Sequence, residues 1–501
     1  MISAGRRWPH TAHVGVAVLI YCAALTSLGT FVLYFGELHH DATETWAWGK
    51  EFQLGYAKHP PFSAWIAGLW FAVMPRADWA FYLLASLNAA LGLAGVWRFA
   101  SLFVSRPGRW HSVLFLVLTP SFTLWALKFN ANAPLLSTWP WTTYFFLQSL
   151  TTRRVSASVL AGAIGAMAML TKYSSIVLFA TLLIVAVTHP ARSRYFASAA
   201  PYLTLLTGVV LVSPHIWWLF ASDFPTVGYA LSKMHASIAE AQSQTFHSAL
   251  GSLAALGIAA AAGVSAFGTR GWPLLKRAAA ALTDRSKAWI SALVLGPFLL
   301  TIAGCYVANL RVSSGFLIPV FFALPAVSVV LSHARVTPVV VRRLAISVAV
   351  VWVPVLLTSP LFAYYAFPAG DPATIEPRRQ VAVAATAVWR TVTGHPLRYV
   401  AGTAALATAA TFHSPDAPSY MVLDDPAASP WVRADDLHRS GLLIICRGAD
   451  AGCLGRAQGL AGENGLRYAQ TFTGSYLGRT SRPQRFVFFL LPPAGASVVW
   501  D

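Results

Sequence analysis

Long apolar runs separated by short polar segments make up the first three quarters of the chain. Most runs are long enough for a helix to cross a hydrocarbon layer of about 30 Å. They predict a polytopic, all-α membrane protein with about eleven transmembrane helices, at residues 14–35, 79–103, 110–127, 133–150, 155–171, 174–188, 197–219, 248–268, 289–309, 315–332 and 344–364. A shorter apolar stretch, residues 62–75, predicts a helix that lies along the membrane surface.

The last quarter of the chain has a different pattern. A Pro- and Gly-containing segment at residues 368–377 marks a change to the composition of a soluble protein. A helical pattern at 379–393 then precedes four short apolar runs, LRYVAG, SYMVLD, GLLIICR and RFVFFLLP. This order predicts a small α/β domain. We therefore expect a transmembrane domain at residues 1–365 and a soluble domain at residues 366–501.

Composition supports the membrane assignment and limits the class of partner. The chain is 56% hydrophobic and only 11% charged, whereas soluble proteins contain about 25% charged residues. Its net charge is +18, which in a soluble protein would suggest nucleic acid. Here the basic residues cluster at the ends of apolar runs, as the positive-inside rule requires. We therefore expect the membrane as a partner and no nucleic acid.

The same charges predict the orientation. With the N-terminus in the cytoplasm, most lysines and arginines of the membrane part fall inside and most carboxylates fall outside. The first apolar run is expected to stay as an uncleaved helix, because it is long and no small-residue cleavage site follows it. This topology places segment 36–78 and the soluble domain outside the cytoplasm.

Segment 36–78 is unusually polar for this chain and is the strongest candidate for chemistry. Asp41 and Glu44 are three residues apart, so a helical turn would put both carboxylates on one face. A partly desolvated carboxylate is a candidate general base; the alternative is that both cap a helix or stay in water. Lys58 and His59 precede two prolines that prevent helix formation, and they could bind phosphate or anchor lipid headgroups.

Four further polar residues interrupt apolar sequence on the same predicted side. Lys172 and Tyr173 join two apolar runs with almost no loop; an ionisable residue at this depth is costly and often functional, although a lysine can also extend to the interface. Asn132, in KFNANAPL, could bind sugar hydroxyls or cap a helix. Arg311 could contact a donor phosphate or a headgroup.

The absence of several well-known motifs limits the classes of reaction that this protein could catalyse. The sequence contains no Walker motif, no GxGxxG and no HExxH, and its histidines lack metal-ligand spacing. These absences argue against ATP use and zinc hydrolysis. We predict no cofactor and assign no metal ligands, and the dependence on metal stays open. Cys446 and Cys453 could form a disulfide in an oxidising compartment or remain buried thiols.

The segments HHDATETWAWGKEFQLGYAKHPP and LTKY, followed by a soluble tail, resemble the GT-C glycosyltransferases. The similarity is greatest to the bacterial family 39/83 group of protein O-mannosyltransferase-like proteins, lipid A aminoarabinose transferases and lipopolysaccharide galacturonosyltransferases. This resemblance implies an enzyme of the bacterial inner membrane with a periplasmic C-terminal domain. It implies inverting transfer of a sugar from a polyprenyl-phosphate donor to a lipid, such as lipopolysaccharide or lipid A, or to a protein.

The resemblance also implies roles for particular residues. Asp41 matches the acidic residue of the first outside loop, which activates or orients the acceptor. Tyr56, Lys58 and His59 match a corner that contacts phosphate before proline, and Lys172 matches the lysine of LTK. Many relatives have an aspartate before Ala-Pro-Leu, where this chain has Asn132.

A transporter or flippase of a lipid-linked sugar is the main alternative function. Such proteins typically show inverted repeats and ionisable residues near the bilayer midplane. Here the ionisable residues concentrate at one predicted surface, which favours the enzyme. A non-catalytic assembly protein is also possible, but it would leave the composition of segment 36–78 unexplained.

Overall fold

The computed structural model describes residues 11–234, 237–312, 314–370, 374–462 and 465–494. Helices form most of this part of the chain. They are α1 (Thr11–Phe31), α2 (His40–Glu51), α3 (Phe62–Val73), α4 (Asp78–Ala100), α5 (Arg106–Val117), α6 (Leu135–Thr152), α7 (Val155–Thr171), α8 (Ile176–Thr188), α9 (Arg192–Phe196), α10 (Ala200–Ala221), α11 (Pro225–Met234), α12 (Ile238–Ala254), α13 (Gly257–Ala266), α14 (Gly271–Ala281), α15 (Ala288–Val307), α16 (Leu324–Leu331), α17 (Pro338–Ala366), α18 (Arg378–Thr393), α19 (Ala404–His413), α20 (Ala434–Ser440) and α21 (Ala451–Ala461).

The strands all lie in the last quarter of the chain. They are β1 (Tyr399–Gly402), β2 (Ser419–Val422), β3 (Leu442–Arg447), β4 (Leu466–Phe472), β5 (Ser475–Tyr476), β6 (Arg479–Thr480) and β7 (Gln484–Leu491).

Several helices are long and apolar enough to cross a membrane. Within the described residues there are six such stretches: Val14–Phe31, Asp78–Ala100, Ala200–Ala221, Ile238–Ala266, Arg285–Val307 and Pro338–Ala369. Many of their apolar side chains are exposed, including Leu205, Val209 and Leu357, as expected for surfaces that face lipid. The predicted class, a polytopic all-α membrane protein, is confirmed.

Shorter helices occupy the other apolar runs. Helix α5 ends at Val117, three residues before Pro120, and α16 begins only at Leu324, next to Pro325. Proline is accommodated in the first turn of a helix but interrupts a helix interior. The predicted runs 110–127 and 315–332 therefore contain shorter helices than expected, and the count of eleven spans stays a prediction.

Helix α2 provides the helical turn expected for Asp41 and Glu44. It begins at His40, where the backbone N–H of Asp41 donates to His39 Nδ1 at 3.1 Å. It ends at Glu51 because Phe52 adopts the left-handed conformation, with φ of 45°. The prolines that follow keep the chain out of a helix until α3, which confirms the helix expected at residues 62–75. Its position along the membrane surface stays a prediction.

Two glycines bring α2 and α3 into backbone contact. A Cβ atom on Gly49 would lie 2.2 Å from the carbonyl oxygen of Ala64, and one on Gly68 would lie 2.4 Å from that of Gly49. Real Cβ atoms do not approach this closely, so only glycine permits the crossing. This contact fixes where α2, and the carboxylates on it, sit relative to the membrane part.

The C-terminal α/β domain is built on a five-stranded sheet with the order β2-β1-β3-β7-β4. Strand β1 is parallel to β2 and β3, whereas β7 is antiparallel to β3 and β4. The four predicted strand segments are present, and β4 is an additional edge strand. The boundary proposed between residues 365 and 366 stays a prediction.

A disulfide joins Cys446 at the end of β3 to Cys453 in α21, which resolves the two alternatives left open by the sequence. The other two cysteines, Cys22 and Cys305, are buried free thiols.

Candidate active site

A cavity of about 860 Å³ opens beside α2 and is also lined by parts of α11 and α15. It brings together most of the site residues predicted from the sequence, although they come from distant segments. Those that line it are Asp41, Glu44, Lys58, His59, Asn132, Lys172, Tyr173 and Arg311. Tyr56 is the exception among the predicted residues, and it lies behind the cavity wall.

Asp41 has hydrogen-bond or ion-pair partners at both carboxylate oxygens. His40 Nε2 lies 3.0 Å from Oδ1, while Lys128 Nζ and Asn130 Nδ2 lie 2.8 Å and 3.0 Å from Oδ2. Partial burial alone would raise the pKa of Asp41. The hydrogen bond from His40 and the charge of Lys128 outweigh that effect and hold this pKa well below its usual range. Asp41 is therefore a firmly ionised carboxylate that is fixed in place.

Glu44 lies one helical turn further along α2 and has a different environment. It is only 7% exposed, and Lys58 Nζ donates to its Oε1 atom at 2.5 Å. Burial raises the pKa of Glu44 above its usual value, while the charge of Lys58 opposes the rise. Its Oε2 atom accepts no hydrogen bond from the residues that the structure describes. Glu44 is thus the more basic of the two carboxylates.

Lys172 faces the cavity at the junction of α7 and the next apolar helix. Its Nζ atom donates to Asn132 Oδ1 at 2.6 Å and lies 4.5 Å from the centre of the Phe316 ring. No carboxylate in the described part of the chain forms an ion pair with it. Burial lowers the pKa of Lys172 to about 8. A half-buried cation without an ion-pair partner is suited to bind an anion.

His59 lines the cavity as a neutral side chain. Its ring lies edge-on to those of Trp48 and Tyr229. Burial, and then the positive charge of Lys172, lower the pKa of His59 to about 3. The imidazole can exchange hydrogen bonds with a ligand, but the ammonium groups must supply the positive charge.

Tyr173 and Arg311 both line the cavity, and each already has a polar partner. The Tyr173 hydroxyl is 2.8 Å from His215 Nε2, and the other ring nitrogen of His215 is 2.7 Å from the carbonyl oxygen of Leu54. Arg311 is half-buried and pairs with Glu240 at 2.9 Å. Its charge is therefore partly compensated before any ligand binds.

Tyr56 is almost fully buried, with 1% of its surface exposed. Its ring stacks on Trp48 and its hydroxyl donates to the Trp48 carbonyl oxygen at 2.7 Å. The structure thus gives Tyr56 a packing position, from which it supports the cavity wall.

Lys128 and Asn130, which lie with Asn132 in the candidate segment KFNANAPL, both contact Asp41 directly. Only the fold shows that this segment meets α2, since Asn130 and Asp41 are separated by 89 positions.

One group of side chains in the described residues has the spacing of a metal site. The possible ligand atoms of His39, His40 and Asp41 lie within 4.8 Å of one another. However, His39 Nδ1 already accepts the backbone N–H of Asp41, and the Asp41 oxygens have the partners given above. A metal ion would have to replace these hydrogen bonds.

Comparison with known proteins supports the fold inferred from the sequence. Residues 58–218 match the family described as dolichyl-phosphate-mannose-protein mannosyltransferase. The crystal structure of ArnT from Cupriavidus metallidurans bound to undecaprenyl phosphate matches with a TM-score of 0.63 and 14% identity, over 96% of this chain and 98% of that chain. The apo state of ArnT gives a TM-score of 0.61 and 14% identity, over 95% and 97%.

No curated protein matches the chain by sequence. The structural matches nevertheless cover both the membrane part and the C-terminal domain. The GT-C glycosyltransferase fold predicted from the sequence is therefore confirmed.

Proposed function

We propose that this protein is an inverting glycosyltransferase that moves a sugar from a polyprenyl-phosphate donor to a lipid or protein acceptor. The observation that carries the proposal is the cavity in which two carboxylates of α2 share space with Lys172, a half-buried lysine that has no carboxylate partner among the described residues. The similarity to ArnT, which was solved with undecaprenyl phosphate, supports a lipid-linked donor.

Lys172 is suited to the departing phosphate. As the bond between the anomeric carbon and the phosphate oxygen breaks, its electron pair stays on the phosphate and negative charge grows there. A fixed cation in a water-poor site stabilises that charge in the transition state. Lys58 can assist, although its ion pair with Glu44 reduces its share.

The two carboxylates are suited to different tasks. The acceptor hydroxyl forms the new bond to the anomeric carbon and must give up its proton. Glu44 can take that proton because its pKa is raised by burial and its Oε2 atom has no hydrogen-bond donor in the described residues. Asp41, held by His40, Lys128 and Asn130, is better suited to orient the acceptor and stabilise positive charge on the sugar.

The location and the acceptor belong to the same proposal. We place the protein in the bacterial inner membrane, with the cavity and the C-terminal domain on the periplasmic side, where lipopolysaccharide, lipid A or a protein would be the acceptor. Apolar helices such as α10 and α17 support the multi-pass arrangement, and the charge asymmetry of the sequence supports the orientation.

Mass spectrometry of envelope lipids and proteins tests the proposal. Cells that lack the gene should lose a species heavier by one sugar residue, and the wild-type gene should restore it. Asp41→Asn should reduce this product about 100-fold or more. Asp223→Asn is the matched control because Asp223 is an exposed carboxylate outside the cavity. Wild-type product from a normally inserted Asp41→Asn protein would refute the proposed role.

A further inference from the structure

Helix α2 lies between the cavity and the C-terminal domain. Asp41 and Glu44 point into the cavity, whereas Thr43 and Trp46 contact α19 of the domain. The hydroxyl oxygens of Thr43 and Thr408 are 3.0 Å apart, and the ring of Trp46 meets that of Phe412 edge-on at 5.4 Å. The candidate catalytic helix α2 therefore packs against the C-terminal domain with the side that faces away from the cavity.

A buried hydrogen bond makes the closest polar link between the cavity wall and the domain. Trp48 lines the cavity, and its indole N–H donates to the Tyr420 hydroxyl at 2.6 Å. Trp48 is 3% exposed and Tyr420 is 2% exposed, so water does not compete for this bond. Because Tyr420 lies on β2, the bond connects the end of α2 to the central sheet.

Each partner of this hydrogen bond is fixed by one further contact. The indole N–H of Trp431 donates to the Tyr420 carbonyl oxygen at 2.8 Å. On the other side, Tyr56 stacks on the Trp48 ring with centroids 5.3 Å apart. The Tyr420 hydroxyl thus meets Trp48 from a fixed position, and a change at Tyr420 is transmitted to α2.

Arg76 provides a second attachment between the C-terminal domain and the rest of the protein. Its guanidinium donates to the carbonyl oxygens of Phe412 and Ser414 at 3.2 Å and 3.0 Å, at the end of α19. These carbonyls are left without helix partners where α19 ends, so a cationic donor satisfies them well. The domain is therefore fixed both to α2 and to the segment between α3 and α4.

From these contacts we infer that the C-terminal domain is part of the catalytic unit and that Tyr420 is a positioning residue for α2. This inference rests on the proposed function. Tyr420 touches neither the cavity nor Lys172; it holds Trp48 and, through the helix, the two carboxylates. Loss of its hydroxyl should slow the transfer step while leaving phosphate binding at Lys172 intact. The reason is that the two carboxylates lie on α2, whereas Lys172 follows α7.

The test compares Tyr420→Phe with Tyr468→Phe. Tyr468 lies on β4 and packs against the same core, but its hydroxyl makes no hydrogen bond within the described part of the chain. For each variant, the rate of product formation in membranes is measured at equal protein level, together with the affinity of the purified protein for undecaprenyl phosphate. We expect Tyr420→Phe to lower the rate about fivefold or more with unchanged affinity, and Tyr468→Phe to match the wild type.

A Tyr420→Phe protein with the same rate as Tyr468→Phe would overturn the inference, and so would a loss of rate with an equal loss of affinity. If Tyr420→Phe does not fold, Arg76→Gln is measured under the same criteria. Asp41→Asn is assayed in parallel to separate the two proposals. Active Asp41→Asn counts against the proposed function, whereas inactive Asp41→Asn with fully active Tyr420→Phe counts only against the positioning role.

Discussion

The ammonium group of Lys172 donates to the side-chain oxygen of Asn132 at 2.6 Å, and this amide satisfies the lysine without neutralising it. The sequence resemblance implies an aspartate at this position in many relatives. Here the amide leaves a full positive charge facing the cavity. In the proposed function, phosphate binding therefore depends chiefly on the protonation of Lys172, with Lys58 assisting.

Phosphate binding should therefore weaken as the solution becomes alkaline. The pKa of Lys172 is lowered to about 8 by burial, and only the protonated form carries the charge that attracts phosphate. The affinity for undecaprenyl phosphate should be highest well below pH 8 and fall progressively above it. Titration of the purified protein between pH 7 and 10 measures this.

The Asn132→Asp variant provides the matched comparison for that titration. A carboxylate beside Lys172 should raise its pKa and move the loss of affinity to higher pH. An affinity that stays constant to pH 10 in the wild type, or a profile that does not move in the variant, would contradict the assignment.

Glu44→Gln should reduce transfer about 100-fold or more if Glu44 accepts the acceptor proton. Lys58→Met should have a different effect, because it leaves Glu44 buried without its positive partner. The pKa of Glu44 should then rise further, and activity should be lost at a higher pH as the solution is acidified. Rates between pH 5 and 8 distinguish the two variants, and Asp435→Asn, an exposed carboxylate on α20, serves as control.

Gly49→Ala should destabilise the protein and lower activity. The added methyl would lie 2.2 Å from the Ala64 carbonyl oxygen, so α2 and α3 must separate, at a cost of about 1–3 kcal/mol. Gly251→Ala is the control, since it also lies inside a helix but has no atom within 4 Å of the added carbon. Thermal unfolding should show a lower midpoint for Gly49→Ala alone.

Removal of the disulfide should loosen the C-terminal domain. The bond closes a short loop with a sequence separation of 7, for which chain entropy predicts about 2–3 kcal/mol of stabilisation. The Cys446→Ala/Cys453→Ala variant should melt at a lower temperature than the wild type. Reductant should lower the wild-type midpoint and leave the variant unchanged; equal midpoints throughout would show that the bond is dispensable.

Features set by local sequence could be predicted well. The apolar runs gave the membrane class, and the spacing of Asp41 and Glu44 agrees with their position on one helix. The strand segments of β1, β2, β3 and β7 are apolar and mostly buried, so their pattern was clear. Strand β4 is an edge strand with mostly exposed or half-buried residues, and its sequence therefore lacks that signal.

Features set by long-range contact could not be read from the sequence. Judged from the sequence alone, Tyr56 is as good a candidate for binding substrate as Tyr173. In the structure, however, its hydroxyl donates to the carbonyl oxygen of Trp48. Lys128 becomes a partner of Asp41 only through the packing of distant segments. Spacing along a chain says which residues share a helix face, whereas the direction of each face depends on the rest of the fold.

The hydrogen bond between Trp48 and Tyr420 joins residues that are 372 positions apart. During synthesis, α2 leaves the ribosome long before β2 exists. The helix therefore lacks its hydrogen bond to Tyr420 while most of the protein is made. A chain that stops early would contain every cavity residue named above and still lack the surface on which they are aligned. On the inferred positioning role, the cavity residues reach their alignment only after β2 has been made.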